Sequence, residues 1–170
     1  YMNTKLSKTV VFHEAGAPEV LKVEQVEVAF PAAQEVRIQV ESIGINRADA
    51  MYRRGMYIEN PIFPAQIGYE AAGIIEAVGD EVKHLAVGDV VNVIPGFSLH
   101  NYASYGEYIN MPAYAVHKYP SNLTFDEAAS VWTSYLTMYG MVVHSGQLKA
   151  GQFALINAAS SSAGLAAIQM

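Results

Sequence analysis

Seven small residues run together at Ala158-Ala159-Ser160-Ser161-Ser162-Ala163-Gly164, between a short apolar run and the opening of a helical pattern. A strand-to-helix turn of this kind presents backbone N–H groups with no intrahelical partner and the positive end of a helix dipole, so it suits a diphosphate. Small side chains matter because phosphates must come close to the backbone. The pattern is Ala-x-x-Ser-x-x-Gly, not Gly-x-Gly-x-x-Gly, and the same residues also make a tight connection with no ligand. Among other reactive types, Asp89 sits in a Gly-Asp turn, where a carboxylate caps backbone N–H groups. The five histidines, His13, His84, His100, His117 and His144, share no ligand-like spacing. There is no cysteine, which excludes disulfide scaffolds, thiolate catalysis and cysteine-ligated zinc.

The elements that must hold such a turn fall into two textures that meet near position 120. Up to Tyr119 the pattern is short strands broken by turns. Val36 to Val40 alternates apolar and polar, Val20 to Val28 does so more loosely, and Ala71 to Val78 is a nearly apolar run closed by Gly79-Asp80. Val90 to Ile94 and Gly106 to Met111 continue the series, and a short helix is expected from Arg47 to Arg54, ending at Gly55. Such spacing predicts a compact, barrel-like β domain. Beyond Pro120, Thr124-Phe125-Asp126-Glu127 fits a capping box, and a helix of about 17–20 residues is expected to run toward Gly146. Phe153-Ala154-Leu155-Ile156 reads as a strand buried on both faces of a parallel sheet, and Leu165 to Met170 opens another helix. A parallel neighbour needs a crossover of a dozen or more residues, so the natural protein is expected to continue past Met170.

Composition narrows the class. Over 170 residues, 52% are hydrophobic and 15% charged, as in a globular protein with a real core. The net charge is −6 with no Lys/Arg cluster, so a nucleic-acid partner has no electrostatic footprint. No stretch approaches the roughly 18–20 apolar residues of a membrane span, and no signal peptide is visible. Met2 behind a lone Tyr1 reads as a start residue, and a cytoplasmic location is the expectation.

A series of motifs in fixed order carries a resemblance. It comprises Gly44-Ile45-Asn46-Arg47-Ala48-Asp49, Arg53-x-Gly55-x-Tyr57, Pro64-Ala65-Gln66-Ile67-Gly68-Tyr69-Glu70-Ala71-Ala72-Gly73 and Val87-Gly88-Asp89-Val90-Val91. Tyr105-Gly106-Glu107-Tyr108, Leu136-Thr137-x-Tyr139 and Leu148-Lys149-Ala150-Gly151 follow. With these the chain resembles, end to end, the zinc-independent, quinone oxidoreductase-like branch of the medium-chain dehydrogenase/reductase superfamily. The resemblance implies a mainly β, GroES-like barrel domain over residues 1–122 and the first helix, strand and turn of an α/β Rossmann-type cofactor domain over 123–170.

It also implies chemistry. Zinc-using relatives have Cys where this chain has Asn46 and His where it has Tyr69, so a tetrahedral zinc site cannot be assembled as the family does it. In zinc-independent relatives the Asn at this place faces nicotinamide and substrate, and an amide can donate to a carbonyl oxygen that gains charge as hydride arrives. The alternative for Asn46 is a turn-forming residue at a strand end. Thr137 stands where relatives contact the cofactor, or it bonds back to its own helix. The cofactor set is then Asn46, Thr137, Ala158, Ser160, Ser161, Ser162, Ala163 and Gly164. Tyr52 and Tyr57 are candidates for the substrate cleft, or ordinary packing. Tyr57 fits the family pattern, whereas Tyr52 lies one position past the expected tyrosine place, which Met51 occupies. Glu70 reads as architectural. The implied reaction is hydride transfer from NADPH, favoured over NADH, to a quinone or an α,β-unsaturated carbonyl, in a full-length homodimer. Alternatives are a zinc-free alcohol/aldehyde or enoyl reductase, or a non-catalytic binding module if the chain ends at Met170.

Overall fold

The computed structural model describes residues 4–170, so the start residue read at Met2 lies outside the described residues. Contacts divide the chain into a first unit ending at Ser130 and a second, Val131–Met170.

Among the described residues, eight strands build the first unit: β1 (Lys5–Phe12), β2 (Lys22–Val28), β3 (Glu35–Gly44), β4 (Ala65–Gln66), β5 (Glu70–Val78), β6 (Val90–Val93), β7 (Tyr108–Pro112) and β8 (Val116–Lys118). They pair antiparallel as two sheets, β2-β1-β4 and β7-β3-β5-β6-β8. The mainly β architecture expected of a GroES-like domain is present, and the barrel is corrected to this extent: among the described residues the strands form two sheets and no closed cylinder. Between the sheets the ladder shrinks to a single bridge, Thr9 to Gly106, with Val10 N–H donating to the Tyr105 carbonyl at 2.8 Å. The β3–β5 ladder has register irregularities at Arg37/Ile38 and Val40/Ser42, the places where a bulge interrupts regular pairing.

β5 occupies the middle of the larger sheet because nearly every residue in it is apolar or small, and its backbone comes very close to β3. A Cβ at Gly73 would meet the Gln39 carbonyl oxygen at 2.0 Å. Val36, Ile38, Ile75, Val91, Val93, Ile109, Met111 and Val116 form the core on one face. A second cluster, Phe12, Tyr52, Ala65, Ile67, Tyr69 and Leu99, lies under the smaller sheet. Helix α1 (Arg47–Arg53) follows β3 and stops at Gly55, whose φ of 66° is a left-handed conformation that glycine adopts freely.

The long helix expected after Thr124 is instead three pieces. α2 (Phe125–Ala128) begins with the capping box as expected: Thr124 Oγ1 accepts from Glu127 N–H at 3.3 Å, and Glu127 Oε2 accepts from Thr124 N–H at 2.8 Å. It then ends, and Ser130 returns its hydroxyl to the Asp126 and Glu127 carbonyls, both at 3.0 Å, a competition that interrupts helices. The second unit holds α3 (Trp132–Met138), a π-helical turn over Tyr139–Ser145, and α4 (Ser162–Gln169), which packs on α3 with the Tyr135 hydroxyl bonded to the Gln169 side chain.

The buried strand expected at Phe153 to Ile156 is also corrected. The segment is not part of any sheet, and Phe153 and Leu155 are 101% and 93% exposed. A parallel strand exists only through its neighbours, and none is present among the described residues. No helix there is long and apolar enough to cross a membrane.

Candidate active site

Asn46 stands where β3 gives way to α1, its backbone still extended at φ −126° and ψ 155°. Two buried carboxylates hold it. Its backbone N–H donates to Asp49 Oδ2 at 2.8 Å, and its side-chain Nδ2 donates to Glu70 Oε2 at 2.8 Å. The Tyr105 hydroxyl donates to the same Asp49 oxygen at 2.9 Å. Asp49 is 4% exposed and Glu70 2%, and Asp49 Oδ1 is buried with no hydrogen-bond partner. Burial pushes the Asp49 carboxyl up to about 6, against the lowering effect of the bonds from Asn46 and Tyr105, with the charge of Glu70 adding to the rise. Burial, followed by the charge of Asp49, pushes the Tyr105 hydroxyl well above the ordinary phenol range.

Beside this group lies an aromatic wall. Tyr69 is buried, its ring 6.1 Å from that of half-buried Tyr57 and 5.7 Å from that of Phe97. Its hydroxyl is raised by burial first and then by Tyr57 and Glu59. Gly68 permits the close turn: with φ at 110°, a Cβ there would meet the Tyr105 ring at 2.2 Å.

Tyr52 belongs to the same buried cluster as Tyr69. It is 1% exposed and packs edge-on against Phe12 at 5.9 Å, inside the cluster under the smaller sheet. The helix phase decides this, since Asp49, Tyr52 and Arg53 share the buried face of α1.

In the second unit, Thr137 is exposed and its hydroxyl donates to the Thr133 carbonyl at 2.6 Å, within its own helix. The small-residue turn is tight. Ala158 takes a φ of 51°, its carbonyl accepts from Ser161 N–H at 2.9 Å, and a Cβ at Gly164 would lie 2.5 Å from that same oxygen. Ser161 caps α4, its hydroxyl accepting from Gly164 N–H at 3.0 Å. The N–H groups of Ser162 and Ala163 precede the first intrahelical bond, from Leu165 N–H to the Ser161 carbonyl at 2.8 Å. Ser160, Ser161 and Ser162 are exposed and Ala163 half-buried.

Asp49, Tyr105 and the contact of Glu70 with Asn46 were not assigned roles from sequence. Asp49 was within reach, because an acidic residue three positions after an Asn at a helix start is half of a capping box. Tyr105, 56 residues from Asp49, leaves no local signal. Asp89 does as its turn suggests: it accepts from Ala86 N–H at 2.8 Å and pairs with Lys118 at 2.8 Å. Among the described residues no cluster of three His, Asp or Glu side chains could hold a metal ion.

Comparison with known proteins agrees with this architecture. The family model of the alcohol dehydrogenase GroES-like domain matches residues 32–121. Human quinone oxidoreductase is 36% identical over 167 residues, covering 98% of this chain and 50% of the relative. Among solved structures, the human synaptic vesicle membrane protein VAT-1 homolog-like protein superposes with a TM-score of 0.89 at 30% identity, covering 97% of this chain and 52% of its own. Escherichia coli quinone oxidoreductase complexed with NADPH gives 0.82 at 32% identity, covering 98% and 48%. The chain therefore spans about half the length of the curated relatives it matches. The matched domain, the two-sheet fold and relatives that align over nearly all of its length agree: the chain belongs to the medium-chain dehydrogenase/reductase superfamily, in its quinone oxidoreductase-like branch.

Proposed function

We propose that this chain is part of a zinc-independent reductase that passes hydride from NADPH, favoured over NADH, to a quinone or an α,β-unsaturated carbonyl. The observation that carries the reading is the anchored amide of Asn46. Nδ2 has two protons, of which Glu70 takes one, and the other is available to an acceptor oxygen. A donor held in place before the reaction stabilises charge as it develops, without reorganising. The NADPH-complexed relative supports a nicotinamide cofactor.

Residues 123–170 are proposed to open the cofactor domain. Their turn fits a diphosphate: its backbone is drawn in so tightly that only Gly is accommodated at 164, and two N–H groups stand at the exposed start of α4. Ser160, Ser161, Ser162 and Ala163 would line it, with Ala158 setting its entry. The uncovered apolar side chains of Phe153 and Leu155 suit a strand that belongs inside a parallel sheet. When bound, the nicotinamide supplies the hydride, and the protein's part is orientation, exclusion of water and donation from Asn46. Asn at 46 and Tyr at 69 offer a metal neither thiolate nor imidazole, which supports chemistry without zinc.

The test is loss of NADPH absorbance by the intact native protein in the presence of a simple quinone and, separately, an enone. Turnover is expected to survive a strong chelator, and Asn46→Ala should lower kcat roughly ten- to a hundredfold. No turnover with either acceptor, or a chelator-induced loss restored by zinc, would sink the reading.

A further inference from the structure

We propose that Glu70 is a positioning residue for the reaction, acting through Asn46 by fixing which end of its amide faces the acceptor; this rests on the role given to Asn46 above. Three features of the fold converge on the contact. Gly44 and Glu70 are cross-strand partners in the β3–β5 ladder. Because position 44 has no side chain, the Glu70 carboxylate can fold over it: a Cβ there would lie 2.9 Å from Glu70 Cβ and 3.1 Å from Oε2. Position 46 is two residues along, so a side chain crossing 44 reaches Asn46 diagonally.

The chemistry of the pair then selects one orientation. An ionised carboxylate is an acceptor only, whereas an amide presents NH2 at one end and oxygen at the other. Facing Glu70, only the NH2 end makes a bond, so Oδ1 turns away and the second N–H keeps a fixed direction. A glutamine at position 70 would lose this discrimination, since its own amide can meet either end of Asn46. Glu70 is 2% exposed, and burying a carboxylate is unfavourable where a neutral isostere would fill the same space. An acid at this position fixes the orientation of the Asn46 amide, which a neutral isostere would not.

The experiment compares Glu70→Gln with wild type in the intact native protein, reading steady-state rates with NADPH and a quinone together with the side-chain amide signals of Asn46 in a 1H–15N spectrum. The Asn46 signals are assigned by their loss in Asn46→Ala. The expected result is a fall in kcat of about tenfold with KM within about twofold, and Asn46 amide signals that shift or broaden. Unchanged kcat, or unchanged amide signals, overturns the proposal. The double variant Asn46→Asp with Glu70→Gln rebuilds the bond with donor and acceptor exchanged, so it should recover the wild-type melting temperature while kcat stays low. Recovery of kcat in the double variant, or failure of both variants to fold, overturns it in favour of a structural role. If wild type shows no turnover at all, the hydride-transfer reading fails, and the amide signals still decide whether Glu70 orients Asn46.

Discussion

At the scale of single residues, Asp49 is the group whose ionisation is most altered by the fold. Its carboxyl is raised from 3.8 to about 6, chiefly by burial. Between those values the folded protein retains a proton that the unfolded chain has released, so the stability contributed by Asp49 falls as pH rises from about 4 to about 6 and is level above that. Asp49→Asn can still accept from Asn46 N–H and Tyr105 O–H, yet it has no charge to lose. The variant should therefore melt higher than wild type at neutral pH, by on the order of 1–3 kcal/mol, with the difference shrinking below pH 6. A melting-temperature series from pH 4 to 8 on both proteins checks this, and a difference that does not depend on pH would refute it. Arg37 is the residue that sequence misdescribed most. It occupies the polar slot of an alternating strand, but it is 1% exposed, with Nε donating to Glu76 Oε2 at 2.7 Å. Burial alone would raise Glu76, and the bonds from Arg37 and Lys5 outweigh that and hold it low.

At the scale of elements, legibility followed how local each signal was. β5, β6, the α1 stop at Gly55 and the Thr124 box are written in consecutive residues, and each is found. β1 is not legible, because its interior positions include Ser7 and Thr9, 0% and 4% exposed. The Ser7 hydroxyl is satisfied across the chain, accepting from Tyr108 N–H at 3.0 Å, and Thr9 Oγ1 donates in turn to Ser7 Oγ at 3.1 Å. A pattern of apolar and polar letters cannot report a buried polar side that finds its partners a hundred residues away. The seating of α2 on the larger sheet depends on a similarly remote fit. A Cβ at Gly44 would lie 2.1 Å from the Ala129 carbonyl oxygen. Gly44→Ala is accordingly expected to cost about 1–3 kcal/mol in a denaturant titration. Gly96→Ala, where a Cβ would meet nothing within 4 Å, is the control and should change little.

At the scale of the whole molecule, the second unit presents apolar side chains that a sheet would normally cover. Produced as these 170 residues alone, the protein is expected to self-associate through Phe153 and Leu155, since hiding each from water is worth about 1.5–3 kcal/mol. Sedimentation velocity over a concentration series measures this, and the pair Phe153→Ser with Leu155→Ser should return the chain to a monomer. Persistent association in that pair would place the sticky surface elsewhere. Inside the first unit the two sheets are joined by the Thr9–Gly106 bridge, by the Lys5–Glu76 ion pair at 3.1 Å and by Arg37 donating to the Val28 carbonyl at 3.3 Å. Each sheet rests on its own apolar cluster, and Phe97 packs against both of them. Tyr69 belongs to the cluster of the smaller sheet, while the next residue, Glu70, begins the central strand of the larger one. The wall and the anchor of the site are thus consecutive residues that answer to different sheets, and Phe97, common to both clusters, is the ring that keeps the two in step.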